Sequence, residues 1–335
     1  HPVVRSCRPA GAGRMRAAAS DTGPTEATDC TRSGCPPRPG PPGGRDRPAL
    51  PPGGTTEAGR RRPSAASGRF DGMPTRIATW NVNSVGARLP RLLAWLRGTV
   101  PDVVCLQETK CTDTAFPVAE LRELGYESAL NCNGRWNGVA LLSRIGLEDV
   151  TVGLPDEPGY PDDGTVEARA IAATCGPVRI WSIYAPNGRE VGHLHYEYKL
   201  RWFDALAAMT AREACEARPF AVLGDYNIAP TDDDVWDPAL FEGSTHVTPA
   251  ERAALAKLRA NGLDDIVPRP LKYDRPYTYW DYRQLAFPKN NGMRIDLVYG
   301  NEPFAKAVKD AYVDREERKG KGASDHAPVV VDLDV

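Results

Sequence analysis

Short apolar runs rich in Val and Ile recur along the chain after residue 72, and each has the length and composition of a buried β-strand. Helical periodicity appears in two longer segments, Leu89–Arg97 and His195–Ala217, and a third helix is predicted at Pro249–Ala260. Thr248 can cap the third helix ahead of Glu251. The predicted strands are Arg76–Trp80, Val103–Leu106, Val139–Leu142, Val178–Tyr184, Phe220–Leu223, Ile295–Tyr299 and Val329–Leu333.

The order of these elements predicts two sheets. Strands do not alternate strictly with helices, as a single parallel sheet built from βαβ units would require. We therefore predict an α/β fold in which two mixed β-sheets pack face to face, with helices outside. Trp95, Trp181 and Trp202 lie in apolar periodic runs and are predicted to be core residues. Residues 73–335 number 263, which is enough for one large domain.

Polar side chains stand at the ends of six of the apolar runs. Any one of them is typical of an ordinary loop residue, but six independent loops are hard to reconcile with this regularity. Because the runs are predicted strands, their polar ends are expected along one edge of the sheets. The residues are Asn81, Gln107, Glu108, Tyr184, Asp225, Asn227, Asp296, Asp325 and His326.

The chemistry shared by these positions is that of hard oxygen ligands with one imidazole. Glu108, Asp225, Asp296 and Asp325 can bind a hard divalent cation, and Mg²⁺ needs only one or two carboxylates. The remaining carboxylates can then orient a water molecule or a histidine. His326 follows Asp325 directly, and adjacent side chains of an extended segment face opposite ways, so we pair His326 with Asp296. This set predicts metal-assisted hydrolysis of a phosphodiester.

Eight short motifs carry a family resemblance. In chain order they are T-W-N-V-N-S (79–84), L-Q-E-T-K (106–110), N-G-V-A-L-L-S (137–143), Y-A-P-N-G (184–188), G-D-Y-N-I-A-P-T-D (224–232), Y-W-D-Y-R (279–283), R-I-D-L (294–297) and S-D-H-A-P (324–328). The chain resembles the exonuclease III family of DNA repair nucleases, within the endonuclease/exonuclease/phosphatase superfamily, over essentially all of residues 73–335. The resemblance implies a four-layered α/β sandwich, which agrees with the strand pattern.

The resemblance also implies which residues bind the metal. Glu108 is expected to bind Mg²⁺, with Asn81 and Asp325 in support and Mn²⁺ as a substitute ion. We predict a single ion. If a second metal site is present, the resemblance places it at Asp225 and Asn227.

The catalytic residues follow from the same resemblance. Asp225 is expected to orient or deprotonate the attacking water, and Asn227 to help hold the phosphate and that aspartate. His326, oriented by Asp296, is expected to stabilise the scissile phosphate. Tyr184, with its phenol beside the phosphate, is expected to stabilise the transition state or the leaving group.

The expected DNA contacts rest on fewer residues. Lys110 and Asn187 fall where the family contacts DNA. Many members have an Arg where this chain has Gly86, so that backbone contact is expected either to be missing or to be taken over by Arg88. The resemblance places Trp280, in the Y-W-D-Y-R motif, in a pocket that receives an extruded abasic sugar. Such a pocket excludes a nucleotide that still carries its base.

The activity implied is that of a Mg²⁺-dependent repair nuclease. It is expected to cleave double-stranded DNA 5′ to abasic sites, to trim 3′ ends in the 3′-to-5′ direction, and to act as a monomer. The main alternative is a phosphoinositide or other lipid phosphodiesterase of the same superfamily, because a similar catalytic core serves several substrates. A DNA-binding protein without catalysis is disfavoured by the full set of catalytic residues.

The charge of the chain changes character at residue 72. The whole sequence carries 42 Lys and Arg against 44 Asp and Glu, a net charge of −2. Residues 1–72 contain 12 Arg and no Lys against 6 Asp and Glu, a net of +6, which leaves −8 for residues 73–335. A negative domain is unusual for a DNA-binding protein, since neutralised phosphates provide most of the affinity. Part of the negative charge is the predicted metal cluster, and binding then depends on local basic residues. The candidates are Arg88, Lys110, Arg135, Arg189 and Arg283.

Residues 1–72 are rich in Pro, Gly, Arg and Ala and contain few residues that build a core. We expect this segment to be disordered, because it cannot bury enough apolar surface to offset its ordering entropy. It contains no apolar stretch typical of a signal peptide. We interpret it as upstream sequence translated ahead of the true start, since Met73 directly precedes the first predicted strand. A basic arm that contacts nucleic acid is the alternative.

The eight cysteines include no C-x-x-C pair and suit neither a zinc site nor a disulfide framework. We predict that all are reduced thiols, as in a bacterial cytoplasmic protein that associates with the nucleoid through DNA. No apolar run is long enough for a membrane span, so no membrane partner is expected. His193 and His195 are assigned surface or packing positions, and His246 has no partner that the sequence reveals.

Overall fold

Two mixed β-sheets of six strands each pack face to face in the computed structural model, which describes residues 74–335. The predictions for residues 1–72 lie outside the described residues. The strands are β1 (Thr75–Asn81), β2 (Val103–Gln107), β3 (Glu127–Asn131), β4 (Val139–Ser143), β5 (Glu148–Val152), β6 (Ala170–Cys175), β7 (Val178–Tyr184), β8 (Phe220–Asp225), β9 (Leu263–Asp265), β10 (Asp296–Asn301), β11 (Val308–Val313) and β12 (Val329–Leu333). The α-helices are α1 (Val85–Thr99), α2 (Val118–Glu123), α3 (Leu194–Glu213), α4 (Pro249–Ala260), α5 (Ala286–Lys289) and α6 (Glu302–Ala307).

The strand order places β1 and β2 in the middle of one sheet and β7 and β8 in the middle of the other. The first sheet runs β11-β12-β1-β2-β4-β3 and the second runs β5-β6-β7-β8-β10-β9. β1 pairs with β2 in parallel, β7 pairs with β8 in parallel, and the other neighbouring pairs of these two sheets are antiparallel. The predicted α/β class with two mixed sheets is confirmed.

Three apolar clusters show that the fold has four layers. The central cluster lies between the sheets, where Ile77 and Val103 of one sheet and Ile180 and Leu223 of the other are buried together. The outer face of the first sheet packs against α1, and Trp95 belongs to that cluster. The outer face of the second sheet packs against α3 and α4, with Trp181 and Trp202 fully buried. The prediction of three core tryptophans is confirmed.

The seven predicted strands correspond to β1, β2, β4, β7, β8, β10 and β12, while β3, β5, β6, β9 and β11 were not predicted. β5 is mostly exposed, β3 and β11 are half-exposed, and β9 has three residues, so none of these forms an apolar run. β6 is buried, but half of its six residues are Ala and it contains only one Val or Ile, so it does not form an apolar run rich in these residues.

Two of the three predicted helices differ from the observed ones at their ends. α1 begins at Val85, because Ser84 accepts a hydrogen bond from the Ala87 amide, and it continues through Pro90. α3 ends at Glu213, four residues before the predicted end. α4 has the predicted bounds, and Thr248 and Glu251 form the expected reciprocal cap, each side chain accepting from the other's backbone N–H.

The topology brings the polar strand ends to one edge of the molecule. Because β1 and β2 are parallel, Asn81 and Gln107 are register partners at their carboxyl ends. Tyr184 and Asp225 are likewise partners at the ends of β7 and β8, and Asp296 begins the antiparallel β10 opposite Asp225. None of the helices within residues 74–335 has both the length and the apolar character that crossing a membrane requires.

Candidate active site

A cavity of about 580 Å³ opens at the edge where the polar strand ends meet. Most of the residues predicted to bind metal or to act in catalysis line it, and Asn81 lies directly behind two of them. The lining residues from this set are Glu108, Tyr184, Asp225, Asn227, Asp325 and His326. The structure therefore brings together, at one cavity, side chains that are separated by more than 200 positions in the sequence.

Glu108, Asp225 and His326 form the centre of the site. Each offers a ligand atom, and these atoms lie within 4.8 Å of one another. Asn81 holds the two carboxylates together, because its Nδ2 donates to Glu108 Oε1 at 2.8 Å and to Asp225 Oδ2 at 2.9 Å. A third carboxylate, Asp325, lies nearby and accepts from Asn83 Nδ2 at 2.9 Å. Two carboxylates at this spacing, with a third close by, suit a hard divalent cation.

Lys110 lies against the centre of the site. Its Nζ is 2.6 Å from Glu108 Oε2, and it also donates to Asn83 Oδ1 at 2.6 Å. Burial alone would raise the pKa of Glu108, but Lys110 and Asn81 outweigh it and lower that pKa below its ordinary value. Glu108 therefore remains ionised, as a metal ligand must be.

His326 is paired with Asp296, as the sequence predicted. His326 Nδ1 lies 2.7 Å from Asp296 Oδ2, and its Nε2 lies 3.8 Å from Asp225 Oδ2. Although burial disfavours the charged ring, Asp296 and then Asp225 raise the pKa of His326 to about 10. The ring is then a buried cation oriented towards Asp225. Thr278 holds the start of β10 in place by accepting from the Asp296 amide.

Asp225 is the most strongly perturbed carboxylate of the site. Burial raises its pKa to about 7, His326 partly opposes this shift, and Asp296 and Glu108 add to it. Its Oδ1 accepts from the Asn227 amide at 2.9 Å, which fixes the side chain at the end of β8. The residue before Asp225 is Gly224, which lets the backbone of β8 lie close to β7. A Cβ at this position would lie 1.9 Å from the Ile183 carbonyl oxygen. We name Glu108, Asp225, Asp296, Asp325 and His326 the acidic cluster.

Tyr184 stands at the end of β7 beside the acidic cluster. Burial and the neighbouring charge of Glu108 raise the pKa of its phenol well above the ordinary value. Arg169 stacks on its ring, with the guanidinium carbon 5.0 Å from the ring centroid. The phenol is therefore protonated at neutral pH and can donate a hydrogen bond into the cavity.

Asn227 connects Asp225 to two further side chains that line the cavity. Its Nδ2 donates to the Ala185 carbonyl, and its Oδ1 accepts from Asn187 Nδ2 at 3.2 Å. His246 Nε2 lies 3.1 Å from the same oxygen. Burial and the charge of Lys199 lower the pKa of His246 to about 4, so its ring is neutral at neutral pH. The sequence had left His246 without a partner, because neither asparagine lies near it in the chain.

A buried ion pair, also missed from the sequence, supports these residues from behind. Lys199 and Glu251 have no exposed side-chain surface, and Lys199 Nζ donates to Glu251 Oε1 and to the Asn227 carbonyl at 2.7 Å. Thr245 Oγ1 and the His246 amide donate to Glu251 Oε1 at 2.6 and 3.0 Å. We name Lys199, Thr245 and Glu251 the Lys199 hub. Its position on an amphipathic helix is typical of a surface lysine, so the sequence gave no indication of it.

The predicted DNA-contact residues fall into different surroundings. Lys110 contacts Glu108, and Asn187 lines the cavity. Arg88 lies outside the cavity lining and donates to the Tyr282 hydroxyl at 2.8 Å and to the Ala323 carbonyl. Arg283 lines the cavity and is paired with Asp281, while the other two basic candidates lie elsewhere. These are Arg135, which stacks on Trp136, and Arg189, which donates to Tyr160.

Trp280 does not line the cavity, which corrects the position expected for it. Its side chain is 1% exposed and packs edge-on against Phe287, with ring centroids 5.3 Å apart. The preceding residue, Tyr279, faces the site instead, with its ring centroid 4.9 Å from that of His326. Successive side chains of an extended segment point to opposite faces, so only one of these two aromatic rings can reach the cavity.

An apolar wall runs from His326 to the rim of the cavity. Beside the catalytic residues it consists of Tyr279, Met293 and Ile295. It continues through Phe241 to Trp236 at the rim, whose rings meet edge to face with centroids 6.5 Å apart. The cavity therefore has a polar, charged end and an apolar side.

Comparison with known proteins relates this site to nucleases. The model of the Endonuclease/Exonuclease/phosphatase family matches residues 78–326. The chain is 28% identical to exodeoxyribonuclease III of Haemophilus influenzae over 270 residues, which cover 76% of this chain and 98% of that protein.

Two solved structures are similar over most of the chain. One is the 3′ phosphatase NExo from Neisseria bound to a product DNA hairpin, with 36% identity and a TM-score of 0.73 over 78% of this chain and 100% of that one. The other is an AP endonuclease from Archaeoglobus fulgidus, with 32% identity and a TM-score of 0.72 over 78% of this chain and 99% of that one.

Proposed function

We propose that this protein hydrolyses DNA phosphodiesters 5′ to abasic sites and trims 3′ ends. The chain belongs to the endonuclease/exonuclease/phosphatase family and, within it, to the exonuclease III and AP endonuclease group of DNA repair nucleases. The observation that carries the proposal is a cavity with two kinds of wall. One end holds the acidic cluster, and the apolar wall begins at the Tyr279 ring directly beside it. A phosphate at the acidic end thus places the adjoining sugar against the apolar side.

The donor set at the acidic end fits a divalent cation. Glu108 and Asp225 offer carboxylate oxygens, and Asn81 and Asp325 lie next to them. Asp296 Oδ1 is buried without a hydrogen-bond partner among the described residues, so this part of the site has an acceptor that a bound water or ligand can satisfy. We assign the site to Mg²⁺, with Mn²⁺ as a substitute, and a second ion would use Asp225 and Asn227. When bound, the metal neutralises charge on the phosphate and polarises its oxygens.

The protein residues have distinct functions in the proposed hydrolysis. Asp225, whose pKa burial raises to about 7, orients the attacking water and accepts its proton. The new P–O bond forms opposite the P–O3′ bond, which breaks and leaves a 3′ hydroxyl and a 5′ phosphate. His326, a cation held by Asp296, stabilises the charge on the phosphate. Tyr184 donates from its protonated phenol towards the leaving oxygen, and Asn227 holds the phosphate.

Removal of a 3′ phosphate is a second candidate activity. The relative NExo is described as a 3′ phosphatase and was solved with product DNA, and it shares 36% of its residues with this chain. A 3′ phosphate presents the same P–O3′ bond to the acidic cluster as a 3′ nucleotide does. A lipid phosphodiesterase is not favoured, because the named relatives of this chain act on DNA.

The proposed partner is double-stranded DNA with an abasic site or a free 3′ end. One chain supplies every residue of the acidic cluster, which supports action as a monomer. The five described cysteines are free thiols, which supports the proposed location in the cytoplasm with the chromosomal DNA.

The test uses three duplexes that differ only at the reacting position: an internal abasic analogue, an unmodified recessed 3′ end and a 3′ phosphate. With Mg²⁺ or Mn²⁺ we expect incision 5′ to the abasic analogue and stepwise release of nucleotides from the 3′ end. With EDTA we expect neither reaction. Removal of the 3′ phosphate alone, with no incision at the abasic analogue, would replace the first proposal by the second. Phosphoinositide hydrolysis without DNA cleavage would refute both.

A further inference from the structure

The outer half of the apolar wall is larger than a baseless sugar needs. Tyr279, Met293 and Ile295 lie near His326 and suffice to cover a sugar attached to the reacting phosphate. Beyond them the wall continues to Phe241, Leu240 and Trp236 at the rim. A substrate that ended at the sugar would leave these outer side chains in water, with no gain from burying them.

The size of the cavity agrees with a larger occupant. At about 580 Å³ it lies within the ~300–1,000 Å³ typical of pockets that enclose drug-sized ligands. A phosphate and a metal held by Glu108 and Asp225 would fill only that end of the cavity. The remaining space suits a complete nucleoside, which has the size of such a ligand.

The occupant must be part of the DNA itself. The cavity is continuous with Asp225 and His326, so a group joined to the reacting phosphate through the sugar can reach its outer half. A base within a continuous duplex must be extruded at an energetic cost before it can enter. A base at a 3′ end has only one stacking neighbour and is easier to displace.

Polar groups at the rim suit the edges of a base. Among the described residues, the side chains of Ser244, Gln284 and Asn291 line the cavity and have no hydrogen-bond partner. They offer both donors and acceptors. An aromatic ring such as that of Trp236 in the same cavity can stack any base with little sequence preference, because every base has a π-face.

We propose that Trp236, with Phe241 and Leu240, forms a binding subsite for the base of the 3′-terminal nucleotide. The inference rests on the proposed function, since it names a substrate of the same catalytic residues. In this arrangement the sugar lies against Tyr279, Met293 and Ile295, whether or not it carries a base. The base, where there is one, lies against Trp236, Phe241 and Leu240. The protein is then an exonuclease for undamaged 3′ ends as well as an enzyme for lesions.

The test compares two duplexes that end in the same phosphodiester, one with an ordinary 3′-terminal nucleotide and the other with a baseless 3′-terminal residue. We expect Trp236→Ala to lower kcat/KM for the base-bearing end about tenfold, the size that base–aromatic stacking typically gives. For the baseless end we expect less than a twofold change. Trp236→Phe keeps a ring and is expected to stay within threefold of the unaltered protein on both.

Trp136→Ala is the matched control, because Trp136 is 73% exposed and lies outside the cavity lining. Any effect of this change is expected to be equal on the two duplexes. Equal losses for Trp236→Ala, or an unchanged rate on the base-bearing end, would overturn the base subsite. Failure of the unaltered protein to release either terminal residue would instead overturn the proposed function. Trp236→Phe also separates loss of the ring from loss of the fold, since it removes little volume.

Discussion

Two groups of buried charged residues meet at Asn227, and they are built in opposite ways. In the Lys199 hub one cation faces one carboxylate, and the Lys199 ammonium and both Glu251 oxygens are hydrogen-bonded. In the acidic cluster four carboxylates face His326 and, at its margin, Lys110. One buried oxygen there, on Asp296, has no partner within residues 74–335.

The difference shows where the molecule is complete and where it needs a ligand. A buried ion pair contributes to a stable fold only when its hydrogen bonds are satisfied, and the Lys199 hub meets that condition. The acidic cluster does not: burial, with the added charge of Asp296 and Glu108, raises the pKa of Asp225, and Asp296 and Asp225 raise the pKa of His326 against the effect of burial. Uncompensated charge of this kind lies where a metal ion or substrate supplies the balance.

The largest expected effect concerns activity at the acidic cluster. Asp225→Asn should lower turnover roughly 10²–10⁴-fold, because the amide cannot accept a proton from the attacking water. Without metal it should not lower the melting temperature, since burial already disfavours the charged form of this carboxylate. Steady-state kinetics with Mg²⁺ and thermal melting in EDTA measure the two quantities.

Asp204→Asn is the matched control, because Asp204 is an exposed carboxylate paired with Lys257 on the far side of α3. It should change neither quantity appreciably. Two results would show that the acidic cluster stabilises the fold, as the Lys199 hub does, and would contradict the difference between them. One is an Asp225→Asn variant that keeps more than a tenth of the activity, and the other is a variant that melts well below the unaltered protein in EDTA.

The next effect concerns the stability of the Lys199 hub. Lys199→Met should lower the free energy of unfolding by about 3–5 kcal/mol, because it leaves the Glu251 charge buried without a countercharge. It also removes the donor to the Asn227 carbonyl, so turnover should fall with a smaller change in KM. Denaturant unfolding and steady-state kinetics check these expectations.

The same substitution at an exposed pair provides the control. Lys257→Met removes a cation whose side chain is 57% exposed, and it should cost less than about 1 kcal/mol. The double variant Lys199→Met with Glu251→Leu should recover part of the lost stability, because no unpaired charge is left in the core. A Lys199→Met variant as stable as the Lys257→Met variant would contradict the distinction between the two groups.

The sequence predicted the acidic cluster better than the Lys199 hub, and the reason is physical. Residues such as Asp225 and Asp296 adjoin buried apolar runs, and the ends of paired strands must meet at one edge. Lys199 lies on a helix, where a single lysine is normally exposed, and its partner comes 52 positions later. Its burial depends on how α3 packs against α4, which no local pattern determines.

Trp280 shows a different limit. Tyr279 and Trp280 are adjacent aromatic residues, and the motif alone does not determine which of them faces the cavity. The structure orients Tyr279 towards His326 and packs Trp280 against Phe287 in the core. The edge strands of both sheets were missed for a related reason, because an exposed strand such as β5 has no apolar run.

The smallest expected effect concerns the positive charge that balances the carboxylates of the acidic cluster, and it tests where that charge comes from. Residues 1–72 carry a net charge of +6, with 12 Arg against 6 Asp and Glu, and offer an alternative to the metal as a balance for the acidic cluster. If the metal supplies that balance, a chain lacking residues 1–72 should keep kcat/KM on a lesion-bearing duplex within twofold, at the same Mg²⁺ optimum. Titrating Mg²⁺ and salt with both proteins measures this. A strong loss of DNA affinity that deepens at low salt would assign the segment to the DNA backbone, since arginine–phosphate contacts are strongest there. A shift of the Mg²⁺ optimum to lower concentration would show that the segment shares in offsetting the charge of the cluster, because its removal would let the carboxylates bind Mg²⁺ more tightly.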